Sequence, residues 1–131
     1  MTQGWNNNPI WQRHYGPRNA ANFGIGGDRT EHVLWRLDHK EVDSISPKVV
    51  VLMIGTNNIG HNTAEEIAAG VQAIVAKLKK KLPETKILLL GVFPRGATRN
   101  KDQTIAEVDP RTGEVNAIIA KLDDGKKVKY L

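Results

Sequence analysis

Two apolar runs separated by one long amphipathic helix pattern most constrain the fold of this chain. Residues 48–54 form a run rich in β-branched residues, and residues 86–92 form a second apolar run. Continuous apolar strands of this kind are typical of parallel sheets, whose strands are buried on both faces. Parallel strands need a crossover, which is usually a helix packed on the sheet. The sequence therefore predicts an α/β fold with a parallel sheet.

Helix signals separate the apolar runs. Thr63 and Glu66 have the spacing of a capping box, and Pro83 stops the helix that they open. A helix capped by Asp28 or Thr30 is predicted to run to about residue 39. A third helix is predicted to end at Gly125, a residue suited to a left-handed cap. The apolar stripes of these helices are Ile67, Val71, Ile74, Val75, Leu78 and Leu82, then Val33, Leu34 and Leu37, then Val115, Ile118, Ile119 and Leu122.

Two further strands are expected, at residues 20–24 and 127–131. All four strands are predicted to be parallel, with 87–92 between 49–54 and 127–131. A loop of about fifteen residues is expected after the second apolar run, and loops of that length are usually functional or mobile.

Small polar residues follow two of the predicted strands. Residues 22–28 read Asn-Phe-Gly-Ile-Gly-Gly-Asp, and residues 55–58 read Gly-Thr-Asn-Asn. Open α/β sheets bind ligands at the carboxyl ends of their strands, and both loops have the character of oxyanion-binding loops. The glycines could instead form a simple strand-to-helix turn, and the asparagines could form a turn or cap. A dinucleotide fingerprint is disfavoured because its sixth position is Arg29.

Composition excludes several other classes of protein. The formal net charge is +5, and the lysine clusters that carry the excess contain no aromatic residue, so a nucleic-acid surface is not indicated. The absence of cysteine excludes disulfides and thiolate metal sites and leaves the compartment open. No apolar run approaches the roughly 20 residues that span a bilayer.

The motifs resemble those of the SGNH (GDSL-type) hydrolases, and within that family the group of the platelet-activating-factor acetylhydrolase catalytic subunit and its bacterial relatives. The resemblance covers nearly the whole chain and implies a three-layer, flavodoxin-like fold, with residues 1–131 as a single domain. It is carried by the segments 22–28, 32–37, 55–58, 62–66 and 94–96.

The resemblance assigns an oxyanion hole. Gly27 occupies the position that supplies a backbone N–H, and Asn57 occupies the position that supplies a side-chain N–H. Such donors stabilise the charge of a tetrahedral intermediate by about 2.7–4 kcal/mol each. Trp5 and Trp11 could line an acyl or leaving-group pocket, with core packing as the alternative interpretation. The resemblance implies a small acyl-ester substrate and no metal or organic cofactor.

The resemblance also implies an incomplete domain. Met1 stands just after the position of the family serine, and Leu131 stands before the family Asp-x-x-His block. Ser44 and Ser46 do not match the nucleophile, and none of the four histidines matches the base. The expectation is an inactive internal fragment that lacks the first strand and the C-terminal block. Its unpaired strand edges would favour a homodimer, and the alternative function is a non-catalytic binding or assembly module that a partner segment completes.

Overall fold

The computed structural model describes residues 2–5, 7–94, 96–99 and 105–131. Within these residues, short 3-10 helices lie at Thr2–Trp5, Gly16–Arg18, Thr56–Asn58 and Ala120–Leu122. The longer elements are α1 (Pro9–His14), α2 (Thr30–Asp38), β1 (Val49–Leu52), α3 (Ala64–Lys81), β2 (Lys86–Leu89), β3 (Gly96–Arg99), β4 (Ile105–Val108), α4 (Arg111–Ile119) and β5 (Val128–Tyr130).

The main sheet has the strand order β1-β2-β5, and both pairings are parallel. In its register Val50 lies beside Ile87, and Ile87 lies beside Val128. The prediction that the second apolar run lies between the first run and the last strand is therefore confirmed. The strands are shorter than the apolar runs, since β1 ends at Leu52 and β2 ends at Leu89.

The predicted strand at residues 20–24 is wrong. This segment has no ladder partner among the described residues, and side chains bond its backbone instead. The N–H of Gly24 donates to the side chain of Asn22, and the carbonyl of Phe23 accepts from Arg36. An apolar segment is a strand only when a neighbouring strand supplies hydrogen-bond partners, and apolar periodicity does not report that neighbour.

The long loop predicted after β2 contains a small antiparallel sheet made of β3 and β4. Each strand has four residues, and the register is irregular at Thr98. Strands this short carry too few residues for an alternating apolar pattern to be recognised. The antiparallel pair does not contradict the fold, because neither strand belongs to the main sheet.

The predicted capping box of α3 is confirmed. The N–H of Glu66 donates to Oγ1 of Thr63 at 3.2 Å, and the N–H of Thr63 donates to Oε2 of Glu66 at 3.0 Å. The helix is capped at its end by Leu82, directly before Pro83. Its stripe of Ile67, Val71 and Ile74 is fully buried and forms the centre of the core.

Two predicted helix ends are corrected. The N-cap of α2 is Arg29 rather than Asp28 or Thr30. The third helix leaves the α-helical conformation after Ile119, and Gly125, with φ of +66°, lies in the turn beyond it. Asp124 makes that turn: its carboxylate accepts the backbone N–H groups of Val128, Lys127 and Lys126, which holds its pKa well below the usual range.

The two faces of the main sheet differ in burial. The face that bears Ile87, Leu89 and Val128 is buried with the core residues of α2, α3 and α4. On the other face, Val49 is 51% exposed and Val51 is 60% exposed. Within the described chain, β1 is also an edge strand, since β2 is its only ladder neighbour. An open edge beside exposed valines is a surface suited to strand pairing.

We predict that the 131-residue chain self-associates through β1. Val51→Lys should shift the population toward monomer, because a charged edge opposes strand pairing. Val108→Lys is the matched control, since Val108 is 51% exposed but lies on β4. Sedimentation velocity over a range of concentrations measures the effect. A monodisperse wild-type monomer with a sharp, reversible thermal transition would contradict the prediction.

Candidate functional site

Gly27 lies in the loop that precedes α2. Its φ is +83°, which is the left-handed region that side chains disfavour, and a Cβ at this position would meet no other atom within 4 Å. The backbone conformation, rather than crowding, therefore requires glycine here. No backbone acceptor among the described residues bonds the N–H of Gly27. This N–H is the donor that the resemblance assigns to the oxyanion.

Arg36, on α2, holds both ends of the Gly27 loop. Its guanidinium donates to the carbonyl oxygen of Phe23 at 2.9 Å and to Oδ2 of Asp28 at 2.5 Å. It also pairs with Glu41 at 3.0 Å. The side chains of Arg36 and Asp28 are only 15% and 13% exposed, so solvent screens this ion pair weakly. Arg36 thus fixes the loop against the helix that follows it.

Asn57 follows β1 in the 3-10 turn Thr56–Asn58. The turn begins after Gly55, whose φ is +120° and whose added Cβ would meet Ile67 at 2.9 Å. The side-chain Nδ2 of Asn57 donates to the carbonyl oxygen of Asp28 at 2.8 Å. Asp28 directly follows Gly27, so the structure brings the two sequence-predicted oxyanion residues to neighbouring positions.

Asn58 is a second connection between the same loops, and the sequence does not reveal its part in the site. The side chain is 2% exposed, and its Oδ1 accepts the N–H of Thr30, the first residue of α2. The sequence indicates a turn at Asn58, or a cap of the helix at 63–82. Asn58 does cap a helix, in the sense that it accepts an N–H of the first turn. The helix is α2, whose N-cap position is Arg29 and whose first residue lies 28 positions before Asn58 in the chain.

Glu31 adds negative charge beside Asn58. The pKa of Glu31 lies below its usual range, chiefly because its carboxylate accepts its own backbone N–H, while burial acts in the opposite direction. The side-chain amide of Asn58 and the Arg29 guanidinium stabilise the ionised form further. Glu31 is therefore an acceptor at neutral pH and can bind the amide hydrogens of Asn58.

The two tryptophans differ in their relation to the site. Trp5 is 40% exposed and ends the 3-10 helix Thr2–Trp5, which lies on the glycine loop. In that helix, Oε1 of Gln3 accepts the N–H of Gly26 at 2.5 Å. Trp11 stacks on Tyr15 with ring centroids 4.6 Å apart. The structure thus places the Trp5 segment against the site loop and gives Trp11 a packing partner within its own helical region.

An open surface groove of about 430 Å³ adjoins the Asn57 loop. It is lined by residues 60–66 together with Arg111 and Glu114, and neither Gly27 nor Asn57 contributes to it. The Arg111 guanidinium is held by Asp109, so its charge is already compensated. Because its lining includes neither Gly27 nor Asn57, the groove is separate from the candidate oxyanion donors. His61, which lies in the same loop, is exposed to solvent.

Neither metal ligation nor a membrane span is indicated in the part of the chain that the structure describes. No group of three or more histidine or carboxylate side chains there has the arrangement to hold a metal ion. No described helix has the length and hydropathy that crossing a bilayer requires.

Comparison with known proteins bears on the family and the fold. The GDSL-like Lipase/Acylhydrolase family pattern matches residues 1–131. Two human relatives are the Platelet-activating factor acetylhydrolase IB subunits alpha2, 52% identical over 91 residues, and alpha1, 48% identical over 91 residues. Each match covers 70% of this chain and 39% of the relative, so the chain spans about two fifths of the length of these relatives.

The fold also matches a solved structure, a GDSL-like lipase from Bacteroides thetaiotaomicron. The TM-score is 0.75 at 21% identity, and the match covers 99% of this chain and 62% of the lipase. At this identity the likeness concerns the fold alone. It supports the α/β, flavodoxin-like arrangement predicted from the sequence.

The ion pair of Arg36 generates a stability prediction. Arg36→Met should lower the free energy of unfolding by about 1–3 kcal/mol, because it removes the charged partner of the half-buried Asp28 carboxylate. Arg29→Met is the matched control: Arg29 pairs with the half-exposed Glu31, and such surface pairs contribute about 0–1 kcal/mol. Urea unfolding followed by circular dichroism measures both variants. Equal losses would show that Arg36 does not hold the loop.

Proposed function

Because the chain belongs to the GDSL-like lipase/acylhydrolase family, we propose that it forms the oxyanion-stabilising part of a serine ester hydrolase. The observation that carries the proposal is the contact between the two loops. The amide of Asn57 donates to the carbonyl of Asp28 at 2.8 Å, and Asp28 directly follows Gly27 in the chain. This contact supports the proposal, because an oxyanion hole needs donors from both loops to lie near one oxygen.

The Asn57 amide can serve both loops at once. Its nitrogen carries two hydrogens, and one of them suffices for the bond to Asp28. That bond fixes the amide plane and leaves the second hydrogen to donate to a substrate oxygen. The N–H of Gly27 is the second donor. A donor that is held in place before the reaction needs no reorganisation when charge develops, so it lowers the barrier rather than only binding substrate.

The proposed reaction is acyl transfer through a serine. The serine hydroxyl attacks the ester carbonyl, a histidine takes the hydroxyl proton, and the carbonyl oxygen becomes the oxyanion that Gly27 and Asn57 bind. The alcohol then leaves with that proton, and water hydrolyses the acyl-serine. By resemblance, the serine comes from a Gly-Asp-Ser segment and the histidine from an Asp-x-x-His segment.

The substrate class proposed is a small acyl ester, with acetyl as the first candidate. The names of the two human relatives specify an acetylhydrolase, and each relative matches this chain over 91 residues, at 52% and 48% identity. The geometry of Gly27 and Asn57 concerns the carbonyl oxygen and is independent of the acyl chain. Acyl preference must therefore be set by residues other than these two.

A second candidate function is favoured by the open edge of β1. A module that has a cleft but no chemistry could be completed by a strand from another chain, or by a second copy as a homodimer, since Val49 and Val51 lie exposed beside that edge. In this alternative, the loops around Gly27 and Asn57 bind a ligand without turning it over.

The test uses hydrolysis of p-nitrophenyl esters of increasing acyl length. We predict no turnover by the 131-residue chain and serine-dependent turnover once a Gly-Asp-Ser strand and an Asp-x-x-His segment from a relative are joined to it; this joined protein is called the completed enzyme. Asn57→Ala in the completed enzyme should lower kcat by about 10²–10³ with little change in KM, because the contact forms mainly in the transition state.

Asn116→Ala is the matched control, because Asn116 bonds the backbone of Val92 and neither of the two site loops. Its kcat should stay close to that of the completed enzyme. Robust turnover by the unextended chain would place the nucleophile elsewhere. An unchanged kcat in the Asn57 variant would remove Asn57 from the oxyanion hole, and a completed enzyme that folds but stays inactive would favour the binding module.

A further inference from the structure

Asn58 has hydrogen-bond partners for both its amide oxygen and its amide nitrogen in a buried position. Its Oδ1 accepts the N–H of Thr30 at 3.1 Å. Its Nδ2 lies 3.3 Å from Oγ1 of Thr30, 3.1 Å from Oε2 of Glu31 and 3.1 Å from Oδ1 of Asn62. A side chain that is 2% exposed and has these partners offers nothing to a substrate. Its role must be exerted through the groups that it holds.

Those groups bracket the segment that follows Gly27. Asn57 holds the carbonyl of Asp28, and Asn58, the next residue, holds the N–H of Thr30. Two consecutive side chains of one loop thus fix two points of the other loop that are only about two residues apart. One contact alone would allow the segment to pivot about it, whereas two contacts set both its distance and its direction.

We propose that Asn58 is a positioning residue that sets the separation between the Gly27 N–H and the Asn57 amide. The proposal rests on the proposed function, since it assigns Asn58 a part in the same oxyanion hole. Oxyanion donors must be held within about 0.5 Å of their productive positions. A misplacement of about 1 Å costs on the order of 10²-fold in rate, so a residue that never contacts the substrate can control kcat.

A purely structural role makes a different prediction. If Asn58 only caps α2, its loss removes an acceptor for one helix N–H and lowers stability, as the loss of any cap does. That loss would lower the free energy of unfolding without lowering the kcat of the folded enzyme, whether or not the Asn57 amide is present. If Asn58 acts by placing the donors, its loss matters only while the Asn57 amide is present.

The kinetic test is a double-mutant cycle in the completed enzyme. Asn58→Ala should lower kcat by about 10- to 100-fold with KM nearly unchanged. The double variant Asn57→Ala with Asn58→Ala should be little slower than Asn57→Ala alone. Asn58→Ser keeps an oxygen that can accept from Thr30 and adds no charge beside the ionised Glu31, so it should retain more kcat than Asn58→Ala, and it carries the test if the alanine variant does not fold.

Asn116→Ala is the matched control for the cycle. Asn116 also braces a loop backbone, since its amide accepts from and donates to Val92 at 2.8 Å and 2.9 Å, but its bonds reach neither site loop. Its effect should combine additively with that of Asn57→Ala. Additive effects of Asn58 and Asn57 would overturn the proposal, as would a rise in KM with unchanged kcat.

Hydrogen exchange separates failure of this proposal from failure of the proposed function. In the 131-residue chain, Asn58→Ala should speed exchange in the peptide that contains Thr30, whereas Asn116→Ala should leave that peptide unchanged. If the completed enzyme shows no turnover, the proposed function fails. The exchange result still tests whether Asn58 holds the N–H of Thr30. Unchanged protection at Thr30 in the Asn58 variant would overturn the proposal in either case.

Discussion

The crossover of α3 between two parallel strands is the constraint on which the rest of the structure depends. Once β1 and β2 run in the same direction, their connection must cross the sheet, and the buried stripe of α3 determines which face it covers. The carboxyl end of β1 then points to the edge where Asn57 and Asn58 emerge. The position of the candidate site is therefore a consequence of strand direction.

Polar contacts, rather than the apolar core, hold the site itself. Arg36 anchors the ends of the Gly27 loop, while Asn57 and Asn58 join that loop to the end of β1. Buried polar groups destabilise a fold unless they are hydrogen-bonded. The Nε of Arg36 has no partner among the described residues, so the contacts of Arg36 act at a cost in stability. Such a network favours one loop geometry over its alternatives, which suits donors that must be preorganised.

The open side of the sheet has the opposite character. The exposed valines of β1 lie on a face that the described helices leave uncovered, whereas the candidate donors are held tightly at the strand end. The matched relatives and the matched structure are longer than this chain, which covers 39% and 62% of their lengths. The fold and the candidate oxyanion loops are thus contained within a segment that is much shorter than those proteins.

Local signals in the sequence determined the three main strands and the capped helix α3, while the choice of Gly27 and Asn57 came from the family resemblance. Apolar runs, a capping box and strand-end motifs are all read within a few residues, because backbone geometry repeats over that range. Tertiary structure alone decided three other features: the absence of a strand at 20–24, the pairing of β3 with β4, and the capping of α2 by Asn58. Each depends on a partner that supplies a hydrogen bond from elsewhere in space, and the spacing of residues along the chain does not record where that partner lies.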